Sequence, residues 1–521
     1  MKRFFITLLI NLLWFFVPVV TMAQTATELT NLVIFVRFAD DAEIDHSFAD
    51  IDTMFNGKTP GYYSVSNFFD VLTYGKIHYN TVYTNNVQNG VIVSYQDIYP
   101  RSYFQPYSEE NPIGYTEENP FLGVSMREAQ LLGRIVRYVD SMNWVSPNVN
   151  LDGNEDGLID NVSFIIKGGT GTWAELLWPH MEYFPYDSLE DEPRINGIKL
   201  YTFNFEFEGA DSAYFNTNVF RHEMGHSLDL PDLYHYEYYD SVSPANGWDM
   251  MCSGRVKCQT AAIYKNKILH VSDDPIEITE DGDYSLLSVG TSPSQNCYYI
   301  KSHVDPTQWY VLEYRNQNDP FEDSISGSGL LVARWNDTVK LDYEGLYANS
   351  FFDFYNVAHQ YWIFRPGSSI DTINGNLDEA HFSQLVGRTT FSPTTDPHPY
   401  LTDGTPESSF EITDIYDHGD HLTFHVHFLD VGVDEHQLAD NVSIYPNPAT
   451  DEVNVQCTMN NVQQEIESVE VYDLCGRAVN TVIGANNDLH MRINISSLSS
   501  GLYFLRVTTD QGVVTKRFVK R

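Results

Sequence analysis

The chain has 521 residues, 42% of them hydrophobic and 14% aromatic, which is the composition of a globular protein long enough for several folding units. Lys and Arg number 30 against 71 Asp and Glu, and the formal net charge of −41 excludes a polyanionic partner such as nucleic acid. The five cysteines, Cys252, Cys258, Cys297, Cys457 and Cys475, are odd in number and too few for a disulfide framework.

Lys2 and Arg3, an apolar run from Phe4 to Val20 and the small Ala23 form the three-part pattern of a secretory signal peptide over residues 1–23. Cleavage after Ala23 leaves only a short stretch before the first predicted strand, with no room for a sizeable inhibitory propeptide. NLVIFVRFAD, residues 31–40, reads as a buried strand. SVSNFFDVLTYGKIHY follows with helical spacing and a stop at Gly75, and REAQLLGRIVRYVDSM, residues 127–142, as an amphipathic helix. VSFIIKGG then reads as a buried strand and IKLYTFNFEFEG as an alternating one, so this first unit mixes α and β. From about Ile276 short strands dominate: YSLLSV, CYYIKSHV, QWYVLEYR, GLLVARW, SFEITDIY and HLTFHVHFL predict a β-rich unit reaching about Leu429. LDVGVDEHQLADN reads as a linker, and the last eighty or so residues as a separate small β unit.

DGNEDGLID places Asp152, Asn154, Asp156 and Asp160 at positions 1, 3, 5 and 9 of a calcium-loop pattern, with Gly157 at its sharp turn. Position 12 is Ser163, and a strand follows, so the expectation is a structural Ca²⁺ site and not a complete EF-hand.

HEMGHSLDLPDLY, residues 222–234, carries the chemistry. His222 and His226 are four apart, so on a helix both side chains reach one ion from the same face. Glu223 stands beside the first ligand, placed to act on water as general base and then as acid. Catalytic zinc needs a third protein ligand. A thermolysin-like Glu on a later helix is not available, because no Glu occurs between Glu237 and Glu277. A metzincin-like arrangement takes the residue ten after the first histidine, here Asp232, with Asp229, Glu237 and Asp240 as alternatives. The tyrosines of DLYHYEYYD can line the cleft or donate to an oxyanion, and His180 in LWPH reads as a hydrogen-bonded histidine outside the ligand set.

With these residues in place, HEMGHSLDLPDLY resembles the HExxHxLGLPDxY motif of the immune inhibitor A family of secreted bacterial zinc metallopeptidases. NLVIFVRFAD, FFDVLTYGKIHY, NLDGNEDGLIDNVSFIIKGG, LLWPH, GWDMMCSG, QWYVLEYRNQ and GSGLLVARW are similar to further family segments, so the resemblance spans about residues 30–428. It implies an α+β, metzincin-like zinc peptidase domain over 24–272, followed by a β-rich domain over 273–430. It also implies a Met-turn at Met251 and zinc on His222, His226 and Asp232. The chain departs from the family at the eighth motif position, where Asp229 replaces Gly. Glycine there leaves the helix through a left-handed conformation without steric cost, and Asp adopts it at a cost of ~1 kcal/mol.

IYPNPATDEVNV, VEVYDLCGRAV, ISSLSSGLYFLRV and VVTKRFVKR are similar, in this order, to the C-terminal sorting domain of type IX secretion cargo. That resemblance implies a linker over 431–441 and a small β-sandwich over 442–521, read by the type IX secretion machinery of a Gram-negative bacterium. The mature chain would then be secreted or held at the outer cell surface, with no transmembrane segment. The sequence thus points to a zinc-dependent endopeptidase acting on proteins or peptides. The alternative is a catalytically inactive, peptidase-like protein that binds a surface.

Overall fold

The computed structural model describes residues 26–116, 120–169, 178–184, 192–209, 217–234, 242–252, 257–339, 359–371, 373–429, 442–457, 466–474, 476–479, 482–487, 490–509 and 512–521. The expected signal peptide and linker lie outside them, as do Glu237, Asp240 and the tyrosines after Tyr234.

The first strand, β1 (Thr27–Arg37), is buried over nearly its whole length. It sends alternate side chains into two cores: Val33 and Phe35 into one, Leu32, Ile34 and Val36 into the other. Helices α1 (Phe48–Asn56) and α2 (Val65–Leu72) follow. Ser64 caps α2 by accepting the Asn67 N–H, and the chain leaves it through Tyr74 and Gly75, both at positive φ. This stretch therefore leaves its helix by Gly75, the expected stop. Its KIHY portion opens the strand β2 (Ile77–Tyr83), which pairs in parallel with β1.

Strand β3 (Tyr95–Gln96) adds a short parallel pairing to β1, and α3 (Pro120–Ser141) packs Leu132, Ile135 and Val139 against the second face of the sheet. Strands β4 (Asn161–Ile166), β5 (His180–Tyr183) and β6 (Thr202–Phe207) complete the sheet, in the order β2-β1-β4-β6-β5. Only β5, at the edge, runs antiparallel to its neighbour. Strand β6 alternates between two faces as expected, and both are covered: from Phe203 to Phe207 every residue is buried. Phe203 and Phe205 enter the α3 core, and alternation turns Asn204 and Glu206 to the opposite face, which α4 (Thr217–His226) covers.

The β-rich stretch forms as expected, with strands at Gly282–Leu287, Cys297–Lys301, Gln308–Arg315, Gly329–Asn336, Phe410–Asp417 and His421–Phe428. It shares one compact unit with everything before it, residues 1–427. The core that holds Phe220 and Met224 of α4 runs on without interruption to Val311, Leu331 and Tyr361 of this stretch.

Two buried arginines hold the segment 243–251 inside that unit. Arg315 donates to the Trp248 carbonyl at 2.7 Å and to both carboxyl oxygens of Glu322 at 2.6 and 2.7 Å. Glu322 accepts the Gln259 N–H, and Glu313, 3.3 Å from Arg315, accepts the Ala262 N–H. Arg365 donates to the carbonyls of Ser243 and Pro244. Cys252, Cys258 and Cys297 are buried free thiols.

The second unit, Phe428–Arg521, consists of two four-stranded antiparallel sheets. Val453, Val455 and Ile493 of one meet Val469, Leu505 and Phe518 of the other in a shared core, which is a small sandwich. No helix among the described residues is long and apolar enough to cross a membrane.

Removing the Arg315 guanidinium would leave Glu313 and Glu322 buried without their cation. Arg315→Met is therefore expected to lower the unfolding free energy by about 3–5 kcal/mol in urea titrations of the full chain. Arg315→Lys, which keeps the charge but loses the fork, should recover only part of it.

Candidate metal centre

Helix α4 ends in a hydrogen-bonded turn that the sequence specifies residue by residue. The Leu230 N–H reaches the Gly225 carbonyl at 3.2 Å, the Asp229 N–H reaches the His226 carbonyl at 2.9 Å, and Asp229 has φ 63°. This is a Schellman stop with aspartate in the left-handed position, so the departure from glycine keeps the turn. The turn also brings the Leu230 carbonyl back to accept from His226 Nδ1 at 2.7 Å. His222 Nδ1 is held in the same way by the Met250 carbonyl at 2.9 Å.

Carbonyl partners accept only, so each Nδ1 carries a proton and Nε2 is the atom each ring has for a metal once its own proton is lost. Both Nε2 atoms face Asp232 Oδ1, at 3.1 Å from His222 and 3.2 Å from His226. All three residues are buried, and they form a group that could hold a metal ion. Burial opposes a charge on His222, but Asp232 and Glu223 outweigh it and push its pKa up to about 9. Burial alone would raise Asp232, whereas His226 and His222 hold it far below the usual carboxylate range. The site favours positive charge at its centre.

Beneath the helix lie Met250 and Met251. A Cβ added at Gly225 would come within 2.9 Å of Met251 Sδ, which explains the glycine between Met224 and His226. Asp249 shapes this floor by accepting from the N–H groups of Met251 and Ala261 and from the Thr260 hydroxyl. The Tyr234 ring stacks on His222 at 6.2 Å between centroids.

Glu223 is buried beside these residues on α4. Two neighbouring groups act on it or feel it, and sequence reasoning missed the part of both. His180, at the start of β5, sits with Nδ1 2.7 Å from the Trp178 carbonyl and Nε2 3.2 Å from Glu128, outside the ligand group. Burial opposes its charge, but Glu128, Trp178 and Glu223 push its pKa up to about 9. Glu206 on β6 is 5% exposed, and its Oε2 has no hydrogen-bond partner. Burial pushes its pKa up to about 8, against the opposing Phe207 N–H and with the help of Glu223. With Asn31, Asn161, Ser163 and Asn204, all buried, it forms a polar layer on the α4 face of the sheet. Ser227, just past the helix, bonds into that layer through Asn161. The only signal for it was the polar half of TFNFEF.

The acidic loop is arranged differently from the metal group. Asp152 accepts the N–H groups of Asp156 and Gly157, and Asp156 accepts that of Leu158. Asn154 accepts the Asp156 N–H, and Asp160 accepts those of Thr30 and Gly153. Asp152, Asp156 and Asp160 do not converge on one point as the histidine group does. A second convergent group, Asp45, His46 and Glu208, has the Lys167 ammonium 3.4 Å from Glu208 as its positive charge.

Comparison with known proteins bears out both resemblances. Residues 148–272 match the immune inhibitor A peptidase M6, catalytic domain, and residues 443–521 match the secretion system C-terminal sorting domain. Immune inhibitor A of Bacillus thuringiensis subsp. alesti is 32% identical over 122 residues, which is 20% of this chain and 17% of that protein. The first match contains the whole HEMGHSLDLPDLY stretch and the methionines beneath it.

Glu206 gives the polar layer a pH signature. Its folded pKa of about 8 lies above the ordinary 4.5, so its contribution to stability is complete below 4.5 and is lost as pH rises through about 8. Between pH 5 and pH 8.5 the wild type should lose roughly 2–4 kcal/mol relative to Glu206→Gln in urea unfolding. Parallel profiles would mean that Glu206 is already ionised at pH 5.

Proposed function

We propose that the chain is an exported zinc-dependent endopeptidase, with His222, His226 and Asp232 as zinc ligands and Glu223 as general base and acid. One observation carries this reading: two histidine Nε2 atoms, each fixed through Nδ1 to a backbone carbonyl, lie 3.1 and 3.2 Å from one carboxylate oxygen. Ligands about 2.0–2.1 Å from a tetrahedral zinc stand roughly 3.3 Å apart, close to this spacing. Neutral imidazoles and a carboxylate are the donor types that zinc takes in catalytic sites. The match to a peptidase catalytic domain supports the reaction class.

Bound zinc would supply a Lewis acid that polarises the scissile carbonyl and acidifies water. Glu223 would take the proton of the attacking water and deliver it to the leaving amine, so the peptide bond breaks without an acyl-enzyme. His180, held between Glu128 and the Trp178 carbonyl, has its charged form favoured by Glu128, Trp178 and Glu223. Asp229 serves the helix turn and is no part of the proposed ligand set. The acidic loop is also outside it, because its carboxylates serve the loop's own backbone and its junction with β1. The match to the sorting domain supports export to the cell surface or beyond.

Purified full-length protein assayed on casein, with zinc measured by mass spectrometry, tests the assignment. Glu223→Gln should keep its zinc and lose activity by roughly 10²–10⁴-fold. Asp232→Ala should lose zinc, and Asp229→Ala should retain it. Casein cleavage that survives both chelation and Glu223→Gln would overturn the mechanism, and a zinc-loaded wild type that cleaves nothing would favour a binding protein.

A further inference from the structure

On the far side of the Schellman turn lies a cavity of about 440 Å³ lined by the carboxylate residues Asp156, Asp160 and Asp229. Among the described residues no lysine, arginine or histidine lines it. Asp160 and Asp156 are engaged by backbone N–H groups, whereas the Asp229 carboxylate makes no hydrogen bond or ion pair with any described residue. Tyr79 on β2 also lines the cavity; it is 1% exposed, yet its hydroxyl has no hydrogen-bond partner. Leaving such a hydroxyl buried and unsatisfied is unfavourable, so both the carboxylates and the phenol call for a ligand.

The geometry selects the class of ligand. Asp156, Asp160 and Asp229 do not form a group whose oxygens all lie within 4.8 Å of one another, so they are not a cage for a single metal ion. The cavity is also far larger than an ion, and its walls include Leu29, Leu228 and the rings of Tyr183 and Tyr201. Methylenes suit such walls, tyrosine faces attract cations, and dispersed carboxylates suit a multidentate donor. Asp229 adds a further sign: the chain carries aspartate at a left-handed position where glycine would serve the turn alone.

We propose that this cavity binds an elongated organic cation, an alkylguanidinium or alkylammonium group. Its head would lie between Asp229 and Asp160, its N–H groups would reach the Tyr79 hydroxyl oxygen, and its stem would lie along Leu228 and the tyrosines. An arginine or lysine side chain of a polypeptide has this chemistry, and so does a small free amine.

Calorimetric titration of the full-length Glu223→Gln protein tests the site without turnover, so the result does not depend on the zinc mechanism. n-Butylguanidinium should bind saturably, and its uncharged analogue n-butylurea should bind at least tenfold more weakly. Asp229→Asn keeps a residue that tolerates the left-handed turn and should weaken n-butylguanidinium binding at least tenfold, with Tyr79→Phe weakening it about threefold. An unstructured peptide with one arginine, compared with the same peptide carrying citrulline, separates the sources. Binding tighter than n-butylguanidinium that needs the arginine assigns the site to polypeptide side chains, and binding no tighter assigns it to small cations. No saturable binding of n-butylguanidinium, equal binding of n-butylurea, or affinity unchanged in Asp229→Asn would overturn the proposal.

Discussion

A single buried guanidinium sets the geometry on which the metal centre depends. Arg315 belongs to a strand of the β-rich stretch, yet it donates to the carbonyl of Trp248, three residues before Met251. Its charge is matched by Glu313 and Glu322, which in turn accept the N–H groups of Ala262 and Gln259 just after the methionine turn. Burying a guanidinium is unfavourable unless its donors are met, and here they are met by the segment that must be fixed. Since the Met250 carbonyl orients His222, the placement of this proposed ligand follows from contacts made by a strand more than sixty residues away in sequence.

The second support comes from the opposite side of α4. The sheet presents it with Asn31, Asn161, Ser163, Asn204 and Glu206, all buried. Asn161 and Ser163 both bond to Asn31, and Ser227 bonds to Asn161, which fixes how the helix ends over the sheet. Hydrogen bonds demand particular distances and directions where apolar packing tolerates sliding. A helix carrying the proposed ligands and base would benefit from that demand, because in a catalytic site a small misplacement of any of them weakens catalysis.

Much of this was legible in the sequence, for reasons that are local. The four-residue spacing of His222 and His226 needs only a helix, the strands of the β-rich stretch announce themselves by alternation, and the Asp229 turn follows from chain chemistry at one position. What was not legible depends on long-range pairing. TFNFEF alternates like a half-exposed strand, and nothing within it says that α4 will cover its polar face. KIHY lies past the Gly75 stop, and only parallel pairing with β1 makes it a strand. His180 gave no sign of its ion pair, because Glu128 lies fifty-two residues before it on α3.

The eighth motif position shows how one residue can serve two neighbourhoods. A helix that ends in a left-handed residue closes its last turn with backbone atoms alone. In this chain those atoms also position His226, because the turn that hydrogen-bonds Leu230 to Gly225 carries the Leu230 carbonyl to it. Any residue able to hold φ near 63° can perform that task, so the side chain at position 229 is not needed by the histidine. Glycine does this at the lowest steric cost, and aspartate does it at a cost of ~1 kcal/mol with a carboxylate left over. That carboxylate lines the cavity on the other side of the turn, beside Asp160 and the buried hydroxyl of Tyr79. The substitution therefore leaves the metal geometry to the backbone and adds charge where the family motif has none.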